Sequence, residues 1–270
     1  MTLLIGYIDH NSQIVVADRR LSYGNGIMKD DEAYKMINYV NRKQRYTFTA
    51  AYTGLAESGT FKTLEWFMKV LPKTLTSDKD VKLGIDTLTS ECSKIIGSLP
   101  LSQDQRSLTF LLCGRYNRYG RQPSLYEAIP FLTIISNCAD EHGKQISFVS
   151  PKFNAYSARL LKRTGHMTVC RGDLASANAK DFLKLRRLIR KNINHKAKVH
   201  LAVDYIRSVA GNSKAVGKNI LATALLPKGF SEGFEFPEDQ NKATRTMPHL
   251  VSASGTCLTN FCVKPIRTPR

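Results

Sequence analysis

The sequence predicts an α+β fold in which strands and helices form layers around one core. The predicted order is four strands, two helices, about four strands, two helices, and a final strand or pair. Runs of strands that alternate with runs of helices favour such layers over a parallel βαβ sheet. The chain shows no internal repeat, low-complexity tract or linker. We therefore expect one domain over residues 1–270, with a core at 2–226 and a loop excursion plus final strand at 228–270.

The first half of the chain opens with two predicted hairpins. Residues 3–8 and 13–17 are β-rich and flank the turn-forming Asp9-His10-Asn11-Ser12. Residues 35–40 and 45–52, rich in β-branched and aromatic residues, predict a second strand pair. Apolar residues then recur at spacings of three and four, which predicts one helix from Ser58 as N-cap to Pro72 and a second over 81–99.

The second half repeats this succession. It predicts strands at 108–113, 125–135, 146–149 and in part of 155–170, then helices at 174–191 and 196–210, and then a buried strand at 220–226. The weakest pattern is that of 228–255, which we expect to form a long surface excursion before a last strand at 256–263.

Composition excludes several function classes. The first thirty residues lack the basic leader of a signal peptide, and no stretch approaches the roughly 20 apolar residues of a membrane span. We therefore expect a cytoplasmic protein without a membrane partner. The six cysteines form no CxxC pair and the six histidines have no partner at ligand spacing, so we expect reduced core thiols, no metal site and no cofactor.

The formal net charge of +18 is the one compositional extreme. It predicts attraction to acidic surfaces, nucleic acid included. The densest basic stretches, 115–121 and 184–198, lack a known nucleic-acid-binding signature, and Lys184, Arg187 and Lys191 recur as the exposed stripe of a helix would. We therefore favour a solvated basic face or an acidic protein partner over nucleic acid.

Three motifs resemble those of proteasome β subunits. The opening Thr2-Leu3-Leu4-Ile5-Gly6 and the segment Ile14-Val15-Val16-Ala17-Asp18-Arg19-Arg20-Leu21-Ser22 are similar to the mature start of that family. Lys35-Met36 resembles its dipeptide at the third strand, and the run from Ala51 to Glu57 resembles its AGxxAD segment. The chain thus resembles the N-terminal nucleophile (Ntn) hydrolases, of the proteasome β-subunit type or of the bacterial proteasome-related threonine protease.

The resemblance implies a four-layer αββα sandwich and a set of site residues. It implies Thr2 as nucleophile once Met1 is removed, Asp18 and Lys35 as its charged partners, and the backbone N–H of Gly54 as oxyanion donor. It also implies supporting roles for Arg20, which follows in the same motif, and for Ser22, which would bind an extended substrate through main-chain hydrogen bonds.

The residue types suit this chemistry. A threonine hydroxyl needs a base, and the α-amino group of an N-terminal threonine can serve, with an ordinary pKa of about 7.7 to 8.0. A nearby ammonium at Lys35 would lower the pKa of the hydroxyl, and pairing with Asp18 would offset the burial of that charge. A small residue at position 2 is what removal of Met1 generally requires, so no propeptide is expected.

Two supporting motifs of the family differ here. Its Gly-Ser-Gly corresponds to Cys170-Arg171-Gly172, which places Arg171 at the serine position. Its RDxxSGG corresponds to residues 211–217, which place Asn212 at the aspartate position and Ala215 at the serine position, with Ser213 the alternative after a local shift.

The predicted function is an N-terminal threonine amidohydrolase, a peptidase that forms an acyl-enzyme on Thr2 and acts on a peptide or another amide. The alternative is an inactive scaffold of the same fold whose basic surface binds an acidic partner or nucleic acid. Because the family works as stacked rings, a homo-oligomer is a further expectation.

Overall fold

The structure is a computed structural model that describes residues 2–22, 28–43, 45–76, 80–119, 126–161, 165–174, 176–191, 193–226, 231–238, 243–246, 249–254 and 257–258. The strands are β1 (Leu3–Asp9), β2 (Gln13–Asp18), β3 (Leu21–Ser22), β4 (Met28–Asp30), β5 (Met36–Asn41), β6 (Tyr46–Gly54), β7 (Glu57–Ser58), β8 (Phe61–Lys62), β9 (Leu108–Tyr119), β10 (Tyr126–Ser136), β11 (Asn154–Arg159), β12 (His166–Gly172), β13 (Ile220–Leu225), β14 (Ser231–Phe236), β15 (Thr244–Thr246), β16 (His249–Ser252) and β17 (Cys257–Leu258). The helices are α1 (Thr63–Thr74), α2 (Val81–Ser98), α3 (Ala179–Ile189) and α4 (His195–Ala210), with a 3-10 turn at Asp104–Arg106.

Two large sheets organise these elements, which confirms the predicted α+β class. The first has six strands in the order β12-β1-β2-β13-β14-β15, and the second has seven in the order β11-β10-β9-β6-β5-β16-β17. Nearly all neighbours are antiparallel, but β16 runs parallel to β5, with Val251 opposite Tyr39. In the described part of the chain, no helix combines the length and the apolar character needed to cross a membrane.

Three apolar clusters connect the sheets and helices. Leu4, Val15, Met36, Ala51 and Leu111 belong to a cluster with members from both sheets. On its other side the first sheet packs against α3 and α4 through residues such as Ile5 and Val203, and the second packs against α1 and α2 through residues such as Phe48 and Leu88. Both faces of β1 and β2 are therefore buried, which explains their nearly continuous apolar sequence.

The start of α1 differs from the prediction. Ser58 is not its N-cap, because Glu57–Ser58 and Phe61–Lys62 form a short hairpin and the helix begins only at Thr63. The Thr63 N–H donates to the Ala56 carbonyl at 2.8 Å, which ties the helix start to the preceding loop. Pro72 lies inside the last turn instead of ending the helix, since the turn continues to Thr74.

Two further segments differ from the predicted secondary structure. Residues 146–149 form no strand, because the Ile146 N–H donates to the Cys138 carbonyl at 2.9 Å within a loop that has only an isolated bridge, Ala139 to Gln145. The predicted excursion at 228–255 instead contains β14 and β15, which extend the first sheet, and β16, which joins the second. Of the predicted last strand, only Cys257–Leu258 lies within the described residues.

Candidate active site

The candidate site forms where several strands of the two sheets begin or end. Thr2 immediately precedes β1, and Asp18 is the last residue of β2. Lys35 immediately precedes β5, and Gly54 is the last residue of β6. Because neighbours in an antiparallel sheet run in opposite directions, the start of one strand lies beside the end of the next. The register therefore brings these four predicted residues to one end of the two sheets.

Lys35 connects Thr2 to Asp18. Its Nζ donates hydrogen bonds to Thr2 Oγ1 and to the Arg20 carbonyl, and lies 3.5 Å from Asp18 Oδ1. Thr2 Oγ1 also donates a hydrogen bond to the Arg20 carbonyl oxygen, at 3.4 Å. The side chains of Lys35 and Asp18 are 1% and 0% exposed, so both charges are removed from water. Such a pair persists in a protein interior only when further hydrogen bonds satisfy it.

Backbone donors satisfy the Asp18 carboxylate. Oδ2 accepts from the Leu3 N–H at 2.6 Å, and Oδ1 accepts from the Arg20 N–H at 2.9 Å, with a further backbone bond from Gly217. Burial raises the pKa of Asp18, and Lys35 together with these donors opposes that shift. Burial likewise lowers the pKa of Lys35, and Asp18 opposes it. Charge at Lys35 therefore depends on its carboxylate partner.

Thr53 holds the main chain of Thr2. Its Oγ1 accepts a hydrogen bond from the Thr2 N–H at 3.2 Å and donates one to the Thr2 carbonyl at 2.8 Å. The Thr2 carbonyl also accepts from the Asp173 N–H at 3.3 Å. Sequence reasoning did not single out Thr53, although this residue directly precedes Gly54 in the motif that runs from Ala51 to Glu57. A hydroxyl that both donates and accepts fixes the orientation of Thr2 from the neighbouring sheet.

The backbone of Gly54 is constrained at the end of β6. The Tyr52 N–H donates to the Lys35 carbonyl at 3.3 Å, and N–H groups two residues apart on a strand point to the same side. The Gly54 N–H therefore points to the side of β5, beyond the first residue of that strand. Gly54 has φ +102°, and a Cβ there would lie 2.1 Å from the Ser107 carbonyl oxygen, so only glycine fits.

Ser213 enters the site through Asp173. Its Oγ donates to Asp173 Oδ2 at 2.7 Å, and Ser176 Oγ donates to the same oxygen at 3.0 Å. Asp173 directly follows Gly172, whose φ is +112° and whose Cβ would lie 1.7 Å from the Thr2 carbonyl oxygen. Gly172 thus lies against the Thr2 carbonyl, and the Asp173 N–H donates to it. Sequence reasoning did not single out Asp173, because the motif comparison ended at Gly172.

The remaining predicted residues lie around this centre or apart from it. Arg20 contributes its carbonyl, while its guanidinium binds Asp31 with nitrogen to oxygen distances of 3.0 and 3.2 Å. Ser22 lies in β3, which pairs with β4. Asn212 is exposed, and within the described residues the structure does not bring its side chain into the cluster; its N–H donates to the Val209 carbonyl at 2.9 Å.

The motif comparison placed Arg171 at the serine position of the family. It lies opposite Leu4 on β1, and its guanidinium donates to the carbonyls of Cys170, at 2.7 Å, and Gly143. The side chain lines a pocket that also includes Thr53 and Gly54.

The other sequence predictions concern thiols and metals. Cys92, Cys113 and Cys170 are buried free thiols and Cys138 is a half-buried one, whereas Cys262 and the side chain of Cys257 lie outside the described residues. Burial raises the pKa of Cys170 to about 12, so this thiol is protonated at neutral pH. Among the residues that the structure describes, no group of three or more His, Cys, Asp or Glu could hold a metal ion.

Comparison with known proteins finds similarity in structure alone. No family model matches the sequence, and no curated protein matches it. Among solved structures, the chain is similar to the Anbu complex from Pseudomonas aeruginosa in its helical assembly, with 11% identity, 88% of each chain covered and a TM-score of 0.52. A Gly-1 mutant of Anbu from Hyphomicrobium sp. strain MC1 gives 11% identity, 89% of each chain and a TM-score of 0.56. Anbu from Yersinia bercovieri, described as an ancestral beta-subunit, gives 11% identity, 88% of each chain and a TM-score of 0.55.

These similarities establish the fold and correct the family assignment. The chain shares the fold of Anbu proteins over most of its length. The assignment to Ntn hydrolases of the proteasome β-subunit type, or of the related bacterial protease, was wrong in its particulars, since the three similar structures described above are of Anbu and no family model matches. The motifs cover only a few short segments of residues 2–57, whereas the similarity in fold covers 88 to 89% of the chain.

Proposed function

We propose that this chain is an N-terminal threonine amidohydrolase that cleaves peptides through an acyl-enzyme ester on Thr2, once Met1 has been removed. One observation carries the proposal: Lys35 Nζ donates to Thr2 Oγ1 while paired with the buried carboxylate of Asp18. A threonine hydroxyl in contact with a buried cation has a stabilised alkoxide form, which is what nucleophilic attack requires.

The base in this mechanism is the α-amino group of Thr2. While Met1 is attached this nitrogen is an amide, and its N–H donates to Thr53 Oγ1. Removal of Met1 would create an amine, and in its neutral form that amine can accept the hydroxyl proton. Thr53 would then hold the amine as it holds the amide. The charge of Lys35 favours the neutral form of the amine, because like charges repel.

The reaction proceeds in two halves. Thr2 Oγ1 attacks the amide carbon, its proton passes to the α-amine, and the carbonyl electron pair becomes an oxyanion that accepts from the Gly54 N–H. As the carbonyl reforms, the C–N bond breaks and the leaving amine takes the proton. Water then attacks the ester and gives its proton to the α-amine, which passes it to Thr2 Oγ1 as the ester C–O bond breaks, so that the carboxylic acid product leaves and Thr2 is restored.

Substrate would bind in extended form beside β3. Ser22 belongs to this short strand, which pairs with β4 through only a few residues. A strand with few partners can add a peptide by main-chain hydrogen bonds. Arg20 would position the start of β3, since its guanidinium binds Asp31 and the carbonyls of Lys214 and Val216.

The proposal includes the architecture and the assembly. We propose that the two sheets and the helices form a four-layer αββα sandwich and that residues 1–270 are a single domain, as the three apolar clusters favour. We also propose a homo-oligomer, because one protein of the same fold forms a helical assembly. Light scattering tests the last point, and a strictly monomeric mass of 30.3 kDa would count against it.

The decisive experiment compares two forms of the chain, one that begins at Thr2 and one in which Met1 is retained. Hydrolysis of fluorogenic peptides and covalent labelling by a β-lactone, located by mass spectrometry, are measured for both. We expect only the form that begins at Thr2 to react, and to be labelled on Thr2. Thr2→Ala should abolish both signals, whereas Thr60→Ala, at an exposed turn, should leave them unchanged. Activity of Thr2→Ala above about a thousandth of wild type would assign the reaction to another nucleophile.

A second candidate function is an inactive scaffold of the same fold whose basic surface binds an acidic partner or nucleic acid. It is favoured by exposed basic residues, namely Lys180, Lys184 and Arg187 on α3 and Lys191 just after this helix. Titration with labelled DNA and RNA at about 50 and 200 mM salt separates the two candidates. We expect weak binding, in the range of about 1 to 100 μM that is usual for non-specific contacts. Submicromolar affinity at the higher salt would favour the scaffold that binds nucleic acid.

A further inference from the structure

A pocket of about 160 Å³ adjoins the candidate site on the side of β12. Its lining includes Thr53, Gly54, Thr109 and Gly172 as well as residues 145–149. Of these, Phe148 is 63% exposed. Because Gly54 belongs both to this pocket and to the proposed oxyanion site, a group bound in the pocket lies next to the bond attacked by Thr2.

Arg171 supplies the charge of this pocket. Met167 and Val169 pack against the apolar cluster shared by the two sheets, and alternate residues of a strand lie on one face. Arg171 therefore points to the same side as these two residues, at the end where Thr2 lies. Two of its nitrogens bind the carbonyls of Cys170 and Gly143, which hold the guanidinium in place. Its Nε is buried without a hydrogen-bond partner in the described structure.

Among the residues that the structure describes, no acidic side chain lines the pocket to neutralise this cation. The lining residues include no Asp or Glu. The carboxylate that acts on Arg171 is that of Asp140, whose Oδ1 already accepts from the N–H groups of His142, at 3.0 Å, and Lys144, at 2.8 Å. A half-buried guanidinium beside an open pocket attracts an anion strongly, since water screens the charge less than at the surface.

We propose that the Arg171 pocket is a specificity subsite that binds the side-chain carboxylate of an acidic residue adjacent to the cleaved bond. This inference rests on the proposed function and adds its substrate class: peptides with Asp or Glu beside the scissile amide. The guanidinium donates to the carboxylate, and the surrounding glycine backbone lets the peptide approach closely.

Binding to the Thr2→Ala chain tests the subsite independently of hydrolysis. Fluorescence anisotropy is measured with labelled peptides, amidated at the C-terminus, that differ only in Glu against Gln or Asp against Asn at the central position. We expect the acidic peptides to bind at least about tenfold more tightly, the range of a hydrogen bond to a charged group. A matched peptide with Gln at the centre and a free C-terminal carboxylate should show no such gain. If it does, the pocket takes a terminal carboxylate and the proposal is wrong.

Variants at Arg171 complete the test. Arg171→Gln keeps an amide donor and should reduce the preference at least about tenfold, whereas Arg171→Lys keeps the charge and should retain a preference above that of Arg171→Gln. Arg186→Gln, at an exposed position of α3, removes the same charge elsewhere and should leave the preference intact. The inference would be overturned if Arg171→Gln preferred acidic peptides as strongly as the chain with Arg171 does and its thermal unfolding were unchanged. If the chain binds acidic peptides preferentially but the wild type hydrolyses no peptide, the subsite would be upheld and the proposed hydrolase function would be rejected.

Discussion

Ser213 Oγ donates a hydrogen bond to Asp173 Oδ2 at 2.7 Å, and this contact joins the segment after α4 to the end of β12. Both residues are buried, at 8% exposure each. The Asp173 N–H donates to the Thr2 carbonyl, so the pair lies one hydrogen bond from the proposed nucleophile. A carboxylate with two hydroxyl donors is rigid, and it fixes the position of the backbone that contacts Thr2.

Removing the Ser213 hydroxyl should destabilise the fold and lower activity. Ser213→Ala leaves Asp173 with one hydroxyl donor, and loss of a hydrogen bond to a charged group costs about 1.5 to 3 kcal/mol. Urea unfolding measures the change in the free energy of unfolding, and Asp173→Asn with the double variant completes a cycle. Asn212→Ala, at the neighbouring exposed position, should change the free energy of unfolding by less than about 0.5 kcal/mol. If the changes in the free energy of unfolding of the two single variants add up to that of the double variant, the two side chains do not interact.

Removing either member of the Lys35–Asp18 pair should be more costly than removing both. Lys35→Met or Asp18→Asn leaves an uncompensated buried group and should cost about 3 to 5 kcal/mol. The double variant should lose less stability than either single variant, as measured by urea unfolding. Lys62→Met is the control, since its pair with Glu65 at 3.0 Å is exposed and is worth about 0 to 1 kcal/mol. If Lys35→Met destabilised the chain no more than Lys62→Met does, Lys35 and Asp18 would be solvated.

Alanine should be tolerated at Gly97 but not at Gly54. At Gly54 the added Cβ would lie 2.1 Å from a backbone oxygen, and the φ of +102° disfavours any L residue. At Gly97, on the exposed surface of α2, a Cβ has no neighbour within 4 Å, and Gly→Ala in a helix stabilises by about 0.5 to 1 kcal/mol. Thermal unfolding should therefore move in opposite directions for the two variants. A higher melting temperature for Gly54→Ala would contradict the left-handed geometry.

Acid should destabilise the chain partly through Asp9. Burial alone would raise the pKa of Asp9, but hydrogen bonds from Lys198, at 2.5 Å, and Tyr7, at 2.7 Å, lower it below its usual 3.8. A carboxyl whose folded pKa is lowered contributes stability above its unfolded pKa, and this contribution is lost as pH falls through the folded pKa.

The measurement is the free energy of unfolding as a function of pH, from neutral pH to below 3.8. Asp9→Asn should be less stable than the wild type at neutral pH, and the difference should shrink towards acid. Asp86→Asn, on the exposed face of α2, should follow the wild-type curve. A constant difference between wild type and Asp9→Asn across this range would show that Asp9 does not titrate with folding.

Much of the fold could be predicted because its signals are local. The alternating and helical apolar periods predicted β1, β2, β5, β6 and α2 within a few residues of their observed bounds, since each is set by residues that are near in sequence. The short hairpin before α1 and the strands of 231–252 were missed. Their backbone groups pair within a loop or with strands remote in sequence, such as β16 with β5, and neither leaves a strong periodic signal.

The sequence by itself determined that Thr2, Asp18, Lys35 and Gly54 lie at the ends of strands, because each borders a recognisable β-rich run. Only the tertiary structure decided which other side chains reach them. Thr53 meets Thr2 across two sheets, Ser213 meets Asp173 across forty positions of chain, and Arg171 lines a pocket together with Thr53 and Gly54. The physical reason is that sheet register and packing set these contacts, and a polar residue carries no periodic pattern from which its distant partner could be inferred.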